Sequence, residues 1–368
     1  MDEKALTERL IRYDTSNDEG IRKAAGFVKG WLESRDIPVE ELEIRGLPVL
    51  AAAVGPAKAP TIVLHGHLDV VPAHAEQFEP RVEGDRILGR GAYDMKGALA
   101  AMMGALQELR EERDVRVVLG IVPDEESEEE VDRGTEFLIK NGFSGHFAIT
   151  GEPTDLHIGV QAKGVLAMRL DVSGMSAHGA TPWLGDNAIL KALDAFRAIE
   201  SLPFTRESSD LFDRPSINLG RILGGDALNK VPDSCVIDVD IRYLPGQDPA
   251  DIRQQVSDLA DVAVVAQFHR APAIVDRNDP FVRVLSECVS RVLDSETISV
   301  GRDGASDAIC FIGAGVPAVE FGPVGGGHHG PGEWVSISSL DSYRRTLVDF
   351  VRRVPEHMTG DKPHLRIA

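Results

Sequence analysis

Imidazoles and carboxylates recur in this chain just after short apolar runs. "TIVLHGHLDVVP" offers His65, His67 and Asp69; "GRGAYDMKG" offers Asp94; "FAITGEPT" offers Glu152; "GGGHHGPGEW" offers His328, His329 and Glu333. The run "IVPDEESEEE" (121–130) ends in six carboxylates, Glu125 and Glu126 among the first. Singly, each has an ordinary explanation: a hydrogen-bonded histidine, a helix cap, a solvated charge run. Five such clusters after five apolar runs point instead to one polar centre. Imidazole and carboxylate together are the ligand set of zinc or a related divalent ion.

The elements that must position these residues follow from hydrophobic patterning. From residue 1 to about 160 helical and strand-like segments alternate: a helix through "IRKAAGFVKGWLESRD", strands in "GLPVLAAAV" and "TIVLHGHLDV", a helix in "MKGALAAMMGALQELREE", then the strand "VRVVLGIV". Such alternation predicts an α/β domain with a mainly parallel sheet and helices on both faces, its active residues at the C-terminal ends of the strands. After "GVQAKG" (159–164) the pattern changes to half-buried strands, as in "CVIDVDIRYLP", where Ile237, Val239 and Ile241 share one face. The order strand, helix, strand, strand, helix, strand over 163–272 predicts a smaller, ferredoxin-like α/β sandwich. It is inserted into a larger domain made of 1–162 and 273–368.

Composition narrows the partners. A net charge of −20 repels nucleic acid, and no basic patch offsets it. No window approaches 18 uninterrupted apolar residues, so no membrane span is expected, and "MDEKALTERLIRYDT" reads as a charged amphipathic helix rather than a signal peptide. With three scattered cysteines, Cys235, Cys288 and Cys310, expected to be reduced, the cytoplasm is the expected compartment. Lysine is scarce beside arginine, 10 against 29, which fits either a surface kept soluble in concentrated salt or a GC-rich genome.

"HGHLDVVP", "GRGAYDMKG", "PDEE", "GEPT", "SAHGATPW" and "HHGPGEW", in that order along nearly the whole chain, resemble the signature stretches of the M20 family of metallopeptidases and deacylases. The resemblance implies two divalent metal ions per chain, zinc first, with cobalt or manganese as alternatives. His67 and Glu152 would hold one, Glu126 and His329 the other, and Asp94 would bridge them; the family spacing to the Glu of "EW" selects His329 over His328. Asp69 is placed to hold the second imidazole nitrogen of His67, whereas His65 reads as structural. Consecutive residues of an extended segment face opposite ways, so Glu126 binds metal while Glu125 handles protons, as general base towards water and then as donor to the leaving amine. The resemblance also implies a cis peptide after Asp94.

In the inserted domain the resemblance assigns oxyanion stabilisation to His178, acting across a homodimer interface, and substrate carboxylate binding to Asn229 and Arg242. Gly304 and Ser306 are further pocket candidates. From the residues alone, Arg242 reads as a strand residue paired with Asp240. The expected activity is hydrolysis of an amide next to a free carboxylate, in an N-acyl amino acid of the acetylornithine or succinyl-diaminopimelate type. A dipeptidase or carboxypeptidase is the alternative within the class, and a non-catalytic metabolite- or peptide-binding protein the alternative outside it.

Overall fold

The computed structural model describes residues 2–127, 133–294 and 298–358. Contacts divide the chain into two units: Met1–Val160 with Val275–Val300 and Ser306–Ala368, and Gln161–Ile274 with Gly301–Ala305.

In the larger unit the sheet is parallel at its centre. Thr61–His67 lies between Arg116–Val122 and Phe147–Thr150, and Phe147–Thr150 pairs with Ala318–Glu320, all in parallel. The flanks are antiparallel: Val39–Ile44 and Leu47–Val54 form a hairpin that pairs onto Arg116–Val122, and Ile158–Ala162 adds at the other side. The mainly parallel expectation therefore holds for the four central strands. The hairpin departs from it because Arg45 and Gly46, with φ of 48° and 76°, make a two-residue turn that sends the chain straight back.

Helices cover both faces, and neighbouring residues of one strand show it. Phe147 packs its ring on Phe281 and Phe350 of the helices Pro280–Leu293 and Ile337–Met358, with centroids 5.1 and 5.8 Å away. Ala148, next in sequence, faces the opposite layer with Ala308 and Phe311. Side chains alternate across a strand, so two consecutive residues reach two helical layers.

The smaller unit is a four-stranded antiparallel sheet in the order Ser216–Gly224, Ser234–Tyr243, Gly164–Ser173, Val262–Arg270. Helices Ala188–Ile199 and Pro249–Ser257 complete the expected strand–helix–strand–strand–helix–strand order. Ile237, Val239 and Ile241 are buried with Leu166, Met168 and Leu170, as their alternation requires. Buried Lys163 pairs with Asp303 at 2.7 Å, and Gly301 sits against the Phe212 ring, so Gly301–Ala305 belongs to this unit although it is distant in sequence.

Candidate metal centre

Parallel pairing puts three strand ends side by side. His67 stands opposite Val122 and His65 opposite Thr150, so the residues that follow, Asp69, Glu125 with Glu126, and Glu152, emerge at one edge of the sheet. Asp94 reaches the same edge from the turn Ala92–Lys96, whose backbone is non-helical at Asp94 and Met95 and whose Asp94–Met95 peptide is cis. A Cβ at Gly66 or Gly151 would meet Met95 Cε at 2.4 or 2.5 Å, so the two glycines leave the room that Met95 fills beside Asp94. His328 and His329 occupy the tight turn closed by Gly330 N–H donating to the Gly327 carbonyl, with His329 at φ 56°.

Asp94 lies at the middle of the cluster. Its Oδ1 is 3.1 Å from His67 Nε2; its Oδ2 is 2.5 Å from His328 Nε2 and 3.3 Å from His329 Nε2. His329 Nε2 is also 2.8 Å from Glu126 Oε1, so His329 faces both Asp94 and Glu126. Ligand atoms of His67, Asp94 and Glu152 lie within 4.8 Å of one another, as do those of His67, Glu125 and Glu126.

Two sequence-based expectations change in detail. The Asp69 carbonyl oxygen holds His67 Nδ1 at 2.9 Å, whereas the Asp69 carboxylate is 3.5 Å away. That carboxylate instead accepts the backbone N–H groups of Glu125 and Glu126 at 3.1 and 2.7 Å, and so fixes the acidic pair relative to His67. Glu125 and Glu126 do not point to opposite sides, because Asp124–Ser127 is a bend rather than an extended strand and brings both towards His67. Of the acids that follow, Glu128–Glu130, read as surface or a helix start, lie outside the described residues.

Sequence reasoning missed the frame behind Asp94. Glu333 Oε1 accepts the N–H groups of Tyr93 and Asp94 at 2.9 and 3.1 Å, while Oε2 accepts Gly91 N–H and Arg90 Nη1 at 3.0 and 2.6 Å. Arg90 Nη2 donates to the His329 carbonyl at 2.9 Å. One buried ion pair thus ties the Asp94 turn to the His329 turn. Two charged residues flanking separate candidate ligands, Arg90 in "GRGAYD" and Glu333 in "HHGPGE", were the available signal.

Electrostatics measure the crowding. Burial, then the charge of Asp307, pushes Glu125 up to about 8. Burial, then Asp94 and Glu125, holds Glu152 well above the carboxylate range. Burial opposes ionisation of Asp94 as well, yet hydrogen bonds from His328, His329 and His67 hold it well below. Hydrogen bonds to Asp94 and Glu126 push His329 up to about 10. Three carboxylates with two imidazoles, charged beyond what burial tolerates, are a donor set that divalent cations fit. A cleft of about 360 Å³ opens beside this set, lined by Asn17, Arg45, Leu47, Val71, Asp124 and Glu126 among others.

The remaining candidates lie mostly in the smaller unit. His178 is exposed and its Nδ1 accepts the Ala180 N–H at 3.0 Å; the Asn229 carbonyl accepts the Gly179 N–H at 2.7 Å. Arg242 Nε donates to Asp240 Oδ2 at 2.9 Å, the pairing its strand position suggests. Gly304 has open space where a side chain would stand. Ser306, in the larger unit, is buried and its hydroxyl accepts the Ala308 N–H.

Residues 63–353 match the profile of Peptidase family M20/M25/M40. The chain belongs to the M20 peptidase family. It is 30% identical over 374 residues to the succinyl-diaminopimelate desuccinylase of Leptothrix cholodnii, covering 93% of this chain and 97% of that one. It is 33% identical over 251 residues to a probable carboxypeptidase of Aspergillus terreus, of which it spans 57%. The fold matches the M20 metallo-carboxypeptidase Sso-CP2 of Sulfolobus solfataricus with a TM-score of 0.79 at 20% identity, over 97% of this chain and 100% of that chain. As an M20 member the chain is a metal-dependent hydrolase, which sets aside the non-catalytic alternative. Among the described residues no helix is long and apolar enough to cross a membrane.

Two outcomes follow from this geometry. Glu333→Ala leaves Arg90 buried without its partner, which should cost about 3–5 kcal/mol in urea unfolding and lower metal content together with stability. Unchanged metal content would show that the frame is dispensable. In protein stripped by a chelator, folded Glu125 keeps a proton up to about 8 that the unfolded chain releases near 4.5, and Glu152 shifts in the same direction. The folded state then binds more protons over that interval, so stability falls as pH rises through it. The stabilising charge on His329 is complete below 6.5 and is lost as pH climbs towards about 10, which deepens the fall. Chelated protein should melt lower at about pH 8 than at about pH 5, with divalent ions restoring the loss; a flat chelated profile would contradict the crowding.

Proposed function

We propose that this enzyme hydrolyses the amide bond of an N-acyl amino acid that carries a free carboxylate, a desuccinylase- or deacetylase-type reaction, with Glu125 as the proton carrier. The observation that carries this reading is the placement of Glu125. It lies beside His67 and Glu126, and its carboxylate makes no hydrogen bond among the described residues. In this reading His67 and Glu152 hold one divalent ion, Glu126 and His329 the other, and Asp94 lies between them, with zinc the first choice and cobalt or manganese alternatives. Bound there, the ions would lower the pKa of water towards about 7 and polarise the amide carbonyl. Glu125 accepts the proton of the attacking water and delivers it to the leaving amine. The Asp69 carboxylate keeps Glu125 in place through its backbone N–H.

The smaller unit contributes the rest of this reading. His178 stabilises the oxyanion from the opposite subunit of a homodimer. Arg242, released from Asp240, grips the substrate carboxylate with its planar fork, aided by Asn229, with Gly304 and Ser306 near the pocket. The apolar side chains that this unit exposes on helix Ala188–Ile199 and strand Ser216–Gly224, namely Leu190, Leu193, Ile222 and Leu223, support self-association there. Three cysteines outside any disulfide favour a reducing, cytoplasmic setting.

A peptidase specificity is the second reading, and coverage favours the first. The desuccinylase relative aligns over 97% of its length, the Aspergillus carboxypeptidase over 57%. The test is Glu125→Gln, assayed with the parent on N-succinyl and N-acetyl amino acids beside dipeptides. The parent should prefer an N-acyl amino acid, and the variant should lose about 10²–10⁴-fold in kcat while retaining its metal. Near-parental turnover of the variant would remove Glu125 from the chemistry, and a preference for dipeptides would install the second reading.

A further inference from the structure

A second buried polar chain approaches the acidic pair from within the core, and the metal-ligand set does not use it. It begins at His65, buried with its ring edge-on to Phe311 at 5.4 Å. His65 Nε2 is 2.8 Å from the Thr135 hydroxyl, which donates to Asp307 Oδ2 at 2.5 Å. A hydroxyl has one proton to give, so Thr135 must accept from His65, which fixes the neutral Nε2–H tautomer. Asp307 Oδ1 lies 3.5 Å from Arg133 Nη2. The same guanidinium nitrogen donates to the Glu125 carbonyl at 2.7 Å and stands 3.7 Å from Glu125 Oε1. His65, Thr135, Asp307 and Arg133 are each no more than 5% exposed.

The geometry of this chain is unusual for mere support. Arg133 holds the backbone of Glu125 tightly and its carboxylate loosely. A direct ion pair would immobilise a proton carrier, whereas without Arg133 the buried Glu125 carboxylate would face Asp307 and Glu126 with His67 as its remaining positive neighbour. Asp307 sets the balance by competing for the same Nη2, its Oδ1 3.5 Å away against 3.7 Å for Glu125 Oε1, and Thr135 and His65 fix Asp307 in turn. Three segments distant in sequence, the strand Thr61–His67 and the starts of the helices Gly134–Lys140 and Ala308–Gly313, converge to make this arrangement.

We propose that Arg133 and Asp307 are positioning residues for Glu125, with Arg133 anchoring the Glu125 backbone and Asp307 keeping the guanidinium from capturing its carboxylate. This rests on Glu125 being the proton carrier. Arg133→Gln should then lose the anchor, and Asp307→Asn should let Arg133 close onto Glu125. Both act on turnover and neither touches substrate.

The experiment uses metal-loaded full-length protein and an N-acyl amino acid substrate. Arg133→Gln and Asp307→Asn should each lower kcat by about tenfold or more, with KM within about twofold and metal content at the parental level, and Arg133→Lys should recover part of the loss. In a Glu125→Gln background the same two changes should alter residual kcat by less than about twofold, because residues that act as a unit are non-additive. Equal losses in both backgrounds, or parental kcat in Arg133→Gln, would overturn the proposal. Should Arg133→Gln not fold, Arg133→Lys and Asp307→Asn carry the same comparison. Parental turnover in Glu125→Gln alone would remove the base assignment and this inference with it, whereas an inactive Glu125→Gln beside a fully active Arg133→Gln would remove only the inference.

Discussion

Mutual repulsion among Asp94, Glu125, Glu126 and Glu152 is the constraint to which the rest of the larger unit answers. Four carboxylates gathered at one edge of the sheet, largely removed from water, cannot all ionise unless positive charge faces them. The chain supplies part of that charge itself through His67 and His329, and the shifts at Glu125 and Glu152 register what remains uncompensated. Divalent cations supply such charge, and the donor set suits them. In the proposed reading, the cost of gathering these groups becomes affinity for metal, and the raised Glu125 carboxyl becomes the proton carrier.

Holding repelling groups together requires a rigid frame, and three devices provide it. The parallel centre of the sheet sets the strand ends level. The Asp69 carboxylate binds two consecutive backbone N–H groups and keeps Glu125 and Glu126 against His67. The Arg90–Glu333 pair, contacting backbone on both sides, binds the Asp94 turn to the histidine turn across 243 residues of sequence. Each of the three fixes the position of a group in the cluster.

The candidate ligands and their placement after strands were legible in the sequence because apolar runs and the polar residues after them are local patterns. The inserted antiparallel unit was legible for the same reason: alternation at Ile237, Val239 and Ile241 is a two-residue period. Less visible were features set by backbone direction. The Asp124–Ser127 bend, which turns Glu125 and Glu126 the same way, and the use of the Asp69 carbonyl rather than its carboxylate on His67 leave no mark in residue type. The partnerships of Arg90 with Glu333 and of Arg133 with Asp307 join distant segments, so nothing short of the fold reveals them. The antiparallel flank is the intermediate case, since "IRGL" contains a turn that a hairpin can use, but neither strand's apolar content says which neighbour it pairs with.

In the proposed reading the carboxylate cluster is built around two divalent cations with Asp94 between them. Metal content by plasma emission, after zinc loading and removal of excess, tests it directly. The parent should hold about two ions per chain and Asp94→Ala fewer than about one, since the shared carboxylate serves both positions. A parent that retains no divalent ion, or an Asp94→Ala variant that still holds two, would contradict it.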